Sequence, residues 1–271
     1  MLRVLNMTYK VGFIGCGNMA SAIIKGIINN AGIAPEEIIA SDASTVALDN
    51  AKSSLSIITT TDNKAVASSS EVIFLSVKPQ FYEAVIEEIK SSISKEQIVI
   101  TIAPGKTINW LQERLGEVKL VRTMPNTPAL VGEGVTGVCK NPLITEEEFS
   151  YVMSLLGSFG MAEAISENLM DVCVAVSGSS PAYVFMLIEA MADAAVADGM
   201  PRDKAYKFAA QAVLGSAKMV LETGKHPGEL KDMVCSPGGT TIEAVRVLED
   251  KGFRSSIIEA MKACTAKAKG L

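Results

Sequence analysis

Lys10-Val11-Gly12-Phe13-Ile14-Gly15-Cys16-Gly17-Asn18-Met19-Ala20 decides how the first half of the chain is read. An apolar, β-rich run feeds directly into Gly-x-Gly-x-x-Ala, and a helical stretch follows to Ala31. This is the opening of a βαβ unit that binds a dinucleotide. Gly15 permits the tight turn after the strand. Gly17 lets the backbone approach a pyrophosphate with no Cβ in the way, and Ala20 allows the helix to pack closely on the strand. The helix N-terminus offers N–H groups and partial positive charge to phosphates. The glycine pattern alone is a weak signal; the strand before it and the helix after it give it weight.

Outward from this turn, strands and helices alternate. Strands are expected at Lys10–Gly15, Glu37–Ser41, Ile57–Thr60, Val72–Val77, Gln97–Ile102 and Lys119–Met124. Helices are expected at Met19–Ala31, Thr45–Ser53, Phe81–Ser91 and Ile108–Leu115. This is an α/β pattern, a parallel sheet covered on both faces. Val135–Cys139 and Met161–Ile165 read as edge strands around a helix at Glu146–Phe159. After about Glu167 no convincing strand follows. Helical patterns run through Ser180–Asp198, Arg202–Thr223, Leu230–Val234, Thr240–Lys251 and Phe253–Lys269. Two domains are expected, a dinucleotide-binding domain over 1–166 and a helical domain over 167–271. Ser180–Asp198 is rich in Ala and Met, with apolar residues on more than one face. In so small a domain such a helix finds part of its cover on another subunit.

The 271 residues are 48% hydrophobic but only 5% aromatic, so the core is built from aliphatic side chains and Met. A net charge of -5, a pI near 5.2 and no basic block argue against nucleic acid as a partner. Five scattered cysteines without a CxxC suit reduced thiols in the cytoplasm, and with one histidine they argue against a metal site. No signal peptide is legible in Met1–Thr8, where Met7 is an alternative start. The longest uncharged run, Val172–Ile188, is interrupted by Ser177–Pro181 and is too short and polar for a membrane span of about 20 apolar residues.

Four loops follow strand ends, the rim where open α/β sheets bind ligands. They are the glycine turn, Ser76-Val77-Lys78-Pro79, Thr101–Gly105, and Arg122–Pro128 with Asn126 as donor and acceptor. In the helical half, Ser180 is a candidate N-cap with Pro181 as first helical residue. Cys235-Ser236-Pro237-Gly238-Gly239-Thr240-Thr241 joins two helices with two glycines and three hydroxyls. Free N–H groups there suit a carboxylate. Asp42 stands 25 residues after Gly17, where an acid accepts hydrogen bonds from the ribose of NAD and repels the extra phosphate of NADP. Ser41, Ser44 and Asn63 are neighbours able to bond a phosphate. His226 is alone beside Pro227 and reads as structural.

Together, Phe13–Ala20, Val77–Pro79, Met124–Ala129, Ser177–Tyr183 and Ser236–Thr241 resemble the pyrroline-5-carboxylate reductases, from about residue 10 to the C-terminus. The resemblance implies hydride transfer from NAD(P)H to the C=N bond of 1-pyrroline-5-carboxylate, giving L-proline, the last step of proline biosynthesis. It implies an N-terminal Rossmann domain and a C-terminal helical dimerisation domain, with dimers assembling further, up to decamers. It assigns the cofactor to Ile14, Gly15, Cys16, Gly17, Asn18, Met19, Ser41, Asp42, Asn63, Ser76, Val77, Lys78, Pro79, Ile102, Ala103 and Pro104. It assigns the substrate to Ser236, Gly238, Gly239, Thr240 and Thr241, with the Thr241 hydroxyl on the ring nitrogen as the catalytic contact. Many NADPH-preferring members have a small hydroxyl residue where Asp42 stands, so the choice between NADPH and NADH stays open. The chemistry agrees with the shortage of acid–base side chains, because a readily protonated imine mainly needs positioning. A hydroxy-acid dehydrogenase would need a lysine that Ser180–Asp198 lacks. A nucleotide sensor without turnover would have no use for the Ser236–Thr241 loop.

Overall fold

The computed structural model describes residues 7–270; the reading of Met1–Thr8 lies largely outside them. Contacts divide the chain into two compact units. The second runs Ser179–Cys264, and the first takes in the rest.

The first unit carries strands β1 (Tyr9–Ile14), β2 (Ile38–Ser41), β3 (Ile58–Thr60), β4 (Ser70–Leu75), β5 (Ile98–Thr101), β6 (Lys119–Met124), β7 (Gly134–Lys140) and β8 (Gly160–Ala164). Among them lie helices α1 (Asn18–Asn30), α2 (Thr45–Leu55), α3 (Asn63–Ser69), α4 (Tyr82–Ile89), α5 (Ile108–Leu115), α6 (Glu146–Gly157) and, after β8, α7 (Met170–Cys173). The sheet order is β3-β2-β1-β4-β5-β6-β7-β8. β1 pairs in parallel with both β2 and β4, so the chain path switches sides there. Such a switch places a crevice at the carboxyl ends of these strands.

Alternation along the strands fills both faces. Phe13, Phe74 and Ile100 join Ile23, Ile24 and Leu155 in one buried cluster. Their neighbours Ile14, Leu75 and Val99 join Ile86 and Leu111 in another. Phe13 and Phe74 stack with centroids 4.7 Å apart. Strands buried on both faces read as continuous apolar runs, which is why they were legible.

Three expectations are corrected in this unit. β7 is antiparallel to β6 and lies inside the sheet; of β7 and β8, β8 alone is an edge. The connection from β6 holds only a short 3-10 turn, Thr127–Val131, and a parallel return needs a longer crossover. β4 stops at Leu75 rather than Val77: Ser76 N makes a last bond to Ile14 O at 2.8 Å, and a 3-10 turn opens at Pro79. α3 was not foreseen; Asp62 caps it, accepting from the N–H groups of Lys64 and Ala65.

The second unit is helical: α8 (Ser180–Ala197), α9 (Arg202–Thr223), α10 (Pro227–Val234), α11 (Thr240–Asp250) and most of α12 (Phe253–Ala268). His226 begins α10, its Nδ1 accepting from Gly228 N at 3.0 Å, a structural role. Ser179, not Ser180, is the N-cap residue of α8, and Pro181 is its second residue. The segment before it, Val174–Gly178, is a π-helical turn rather than a flexible one, and Ser179 follows it as a bend. Glu167–Ala197 is a helical segment of 31 residues holding an 18-residue window of mean hydropathy 1.5; by length and composition alone it could cross a membrane, as could the core helix of a soluble protein. Within the chain only Ala192 of α8 is buried, while Phe185 and Met186 are 64% and 68% exposed.

Candidate active site

The cofactor rim lies within the first unit. Gly15 N donates to Ser41 O at 2.8 Å, tying the glycine turn to the end of β2. Gly15 has φ +99, and a Cβ there would lie 2.7 Å from the Ser76 carbonyl carbon. Only glycine fits this turn. Ser76 Oγ donates to Gly15 O at 2.8 Å and Ile14 O at 3.1 Å, lacing the turn to the end of β4. A Cβ on Gly17, by contrast, would meet nothing within 4 Å. Its bareness serves no internal packing, which fits a cradle for a ligand. α1 begins next to it with no side-chain cap and no acid in its first turn. Its first N–H groups therefore suit a pyrophosphate.

Asp42 reaches the same turn. Its Oδ2 accepts from Cys16 N and its Oδ1 from Ser44 N, each at 2.8 Å. Ser41 Oγ donates to Asn63 Oδ1 at 2.7 Å, and Asn63 Nδ2 donates to Glu88 Oε2 at 2.8 Å. The structure therefore brings Ser41, Asp42 and Asn63 together beside the turn. Burial, with the Asp42 carboxylate adding to it, pushes the Cys16 thiol up to about 11. Cys16 is a packing residue, not a nucleophile.

Lys78 is exposed at the neighbouring loop, and Pro79 opens a 3-10 turn after it. The third loop, from Ile102 to Thr107, starts from a buried polar chain. Tyr82 OH donates to Leu75 O at 2.5 Å and lies 2.9 Å from Thr101 Oγ1, while Thr123 Oγ1 donates to Thr101 O at 2.8 Å. Burial keeps the Tyr82 phenol protonated far above its ordinary range. Sequence reasoning missed this chain, because a tyrosine and two threonines on separate elements carry no local signal.

Asn126 does not present free groups. Its Nδ2 donates to Ser177 O at 3.0 Å and its Oδ1 accepts from Val135 N at 2.9 Å, an internal tie.

In the second unit, Ser236–Thr241 forms the turn before α11. Gly238 has φ +68, and Gly239 N donates to Ser236 O at 3.0 Å. Gly239 precedes α11 without a side-chain cap. Thr240 is exposed and Thr241 half-buried, and among the described residues neither hydroxyl has a hydrogen-bond partner. An uncapped helix start flanked by two hydroxyls can receive a carboxylate and a polar ring atom.

A doubly wound sheet with this rim defines a nicotinamide-dinucleotide-dependent oxidoreductase. Family models agree: residues 10–105 match one described as NADP oxidoreductase, coenzyme F420-dependent, and residues 167–271 match pyrroline-5-carboxylate reductase dimerisation. The pyrroline-5-carboxylate reductase of Escherichia coli (strain K12) is 53% identical over 98% of this chain and 99% of its own length. That of Methanosarcina acetivorans is 42% identical over 97% of each chain. Among solved structures, pyrroline carboxylate reductase from Plasmodium falciparum with NADP bound superposes with a TM-score of 0.87 at 33% identity, covering 97% of this chain and 98% of that one. The chain belongs to the pyrroline-5-carboxylate reductase family.

Proposed function

We propose that the protein reduces the C=N bond of 1-pyrroline-5-carboxylate to L-proline with NADPH or NADH, the final step of proline biosynthesis. The observation that carries this reading in the structure is the uncapped, glycine-flanked start of α11 with its unpartnered Thr240 and Thr241 hydroxyls. The α11 N–H groups and the Ser236–Thr241 turn hold the substrate carboxylate. The Thr241 hydroxyl holds the ring nitrogen, where a proton ends after the C=N carbon takes up hydride. NAD(P)H supplies that hydride when bound. Ile14–Met19 and Ser76–Pro79 hold its phosphates and nearby groups, Ser41, Asp42 and Asn63 face its adenosine ribose, and Ile102–Pro104 border its nicotinamide. Positioning supplies most of the catalysis, because an iminium accepts hydride without a strong acid beside it.

The domains proposed for these tasks are 1–166 for the dinucleotide and 167–271 for substrate and dimerisation, supported by the family match over 167–271. The exposed Phe185 and Met186 on α8 support a homodimer through the C-terminal helices, rather than a lipid-facing span. Resemblance extends this to dimers assembling up to a decamer. Five unpaired cysteines support a cytoplasmic protein, and the acidic net charge supports a small-molecule substrate without a nucleic-acid partner.

The direct test mixes purified protein with 1-pyrroline-5-carboxylate and follows absorbance loss from NADPH and, separately, NADH. Proline formed in step with either loss is expected. Folded protein that binds cofactor but makes no proline would overturn the reading.

A further inference from the structure

The loop from Ile102 to Thr107 is fixed at its far end by a residue remote in sequence. Ile108 N, the first N–H of α5, donates to Glu167 Oε1 at 2.7 Å. The same oxygen accepts from Arg122 Nη1 at 3.0 Å. The start of α5 needs an acceptor for this N–H, and no residue of the helix or its cap supplies one. Thr107 Oγ1 accepts from Trp110 N at 3.1 Å, which leaves the Ile108 N–H to Glu167. Arg122 is deeply buried on β6, its Nη2 is 3.7 Å from Asp171 Oδ1, and its Nε has no partner among the described residues. A buried guanidinium in such a setting locks onto its carboxylate partner, since separating the two would strand a charge. Glu167 is thus fixed by β6 and in turn fixes the loop's exit. The loop's entry is fixed by the Tyr82–Thr101–Thr123 chain.

We propose that Glu167 is a positioning residue for the nicotinamide half of the cofactor, acting through the Ile108 N–H on the loop that carries Ile102, Ala103 and Pro104. The inference rests on that loop's proposed place beside the nicotinamide. It does not rest on the identity of the imine. Between its two fixed ends the loop contains Gly105 at φ +74, a permissive joint. Releasing the exit lets the Ala103–Pro104 backbone drift from the ring while leaving the glycine turn untouched. An offset of about 1 Å in a positioned reactant can cost up to about a hundredfold in rate.

The test compares wild type, Glu167→Ala and Glu167→Gln as full-length proteins. Trp110 is the only tryptophan and sits two residues beyond Ile108, with Lys106 Nζ 4.2 Å from its ring centroid. Its fluorescence follows the loop's exit in the free proteins, and calorimetry follows binding of NADP+ and, separately, of ADP, which lacks the nicotinamide. Glu167→Ala is expected to lower NADP+ affinity and kcat about tenfold while ADP affinity holds. Glu167→Gln is expected to recover most of both, because its amide oxygen still accepts from Ile108 N. Should Glu167→Ala fail to fold around the stranded Arg122, Glu167→Ala with Arg122→Met removes that charge and carries the same expectation. Unchanged NADP+ affinity and kcat, an equal loss for ADP, or no recovery in Glu167→Gln would each overturn the proposal. The binding arms need no imine substrate, so they read the same if the reductase reading itself fails.

Discussion

Asp42 Oδ2 accepts the backbone N–H of Cys16 at 2.8 Å, so an acid at the end of β2 is anchored to the middle of the glycine turn. In the proposed cofactor placement, a 2′-phosphate would bring like charge against the anchored carboxylate. We expect Asp42→Ser to raise the ratio of kcat/KM for NADPH over NADH by about tenfold or more. Parallel steady-state assays decide it; an unchanged ratio removes Asp42 from cofactor selection.

Gly17 offers a clean separation of binding from folding. Its φ of -78 suits any residue, and no protein atom stands in the way of a Cβ. Gly17→Ala should keep Tm within about 1–2 °C of wild type, as for substitutions that touch nothing. Cofactor affinity should fall by about tenfold, because the new methyl occupies the line of approach to the pyrophosphate. Calorimetry of cofactor binding beside a melting curve would show both.

Thr241 carries the single side-chain contact assigned to the reacting nitrogen. Thr241→Ala should lower kcat/KM about tenfold, equivalent to about 1.4 kcal/mol, and Thr241→Ser should keep most of it. Wild-type kinetics in the alanine variant would take the residue off the list.

Cys16 predicts a pH effect in the alkaline range. Burial raises the folded thiol from an ordinary 9.0 to about 11. The unfolded chain therefore loses this proton first as pH rises. The stability tied to the neutral thiol is full below pH 9 and is lost between 9 and 11. Melting curves of wild type and Cys16→Ala across that window should diverge, the variant falling less. Parallel curves would contradict it.

On α8, Phe185→Glu with Met186→Glu should shift the sedimentation coefficient to that of a monomer, by placing charge on the exposed apolar face. Persistence of the dimer would move the interface elsewhere.

Local patterns carried the reading of this chain as far as local forces reach. Ile108–Leu115 and Lys119–Met124 have the ends their sequence implied, because a cap or an apolar run fixes each. The glycine turn was legible for the same reason. The antiparallel β7 was also encoded, in a connector holding no crossover helix, but the alternation around it masked the signal. α3 is seven residues long and too short to show a stripe; Asp62 was its only mark. Nothing local announced that Ser76 would lace the glycine turn, or that Glu167 would reach Ile108 across 59 residues of chain. Such bonds exist only once the sheet is assembled.

The poor internal cover of α8, with Ala192 alone buried, has a consequence for how much protein must be present. In the proposed homodimer, α8 finds its apolar environment on a second copy and completes its fold only at encounter. Folding and association then become one reaction governed by mass action. The melting temperature should climb with protein concentration. A cell that makes few copies would hold more of them half-finished, within reach of its proteases, so abundance itself becomes part of this enzyme's stability.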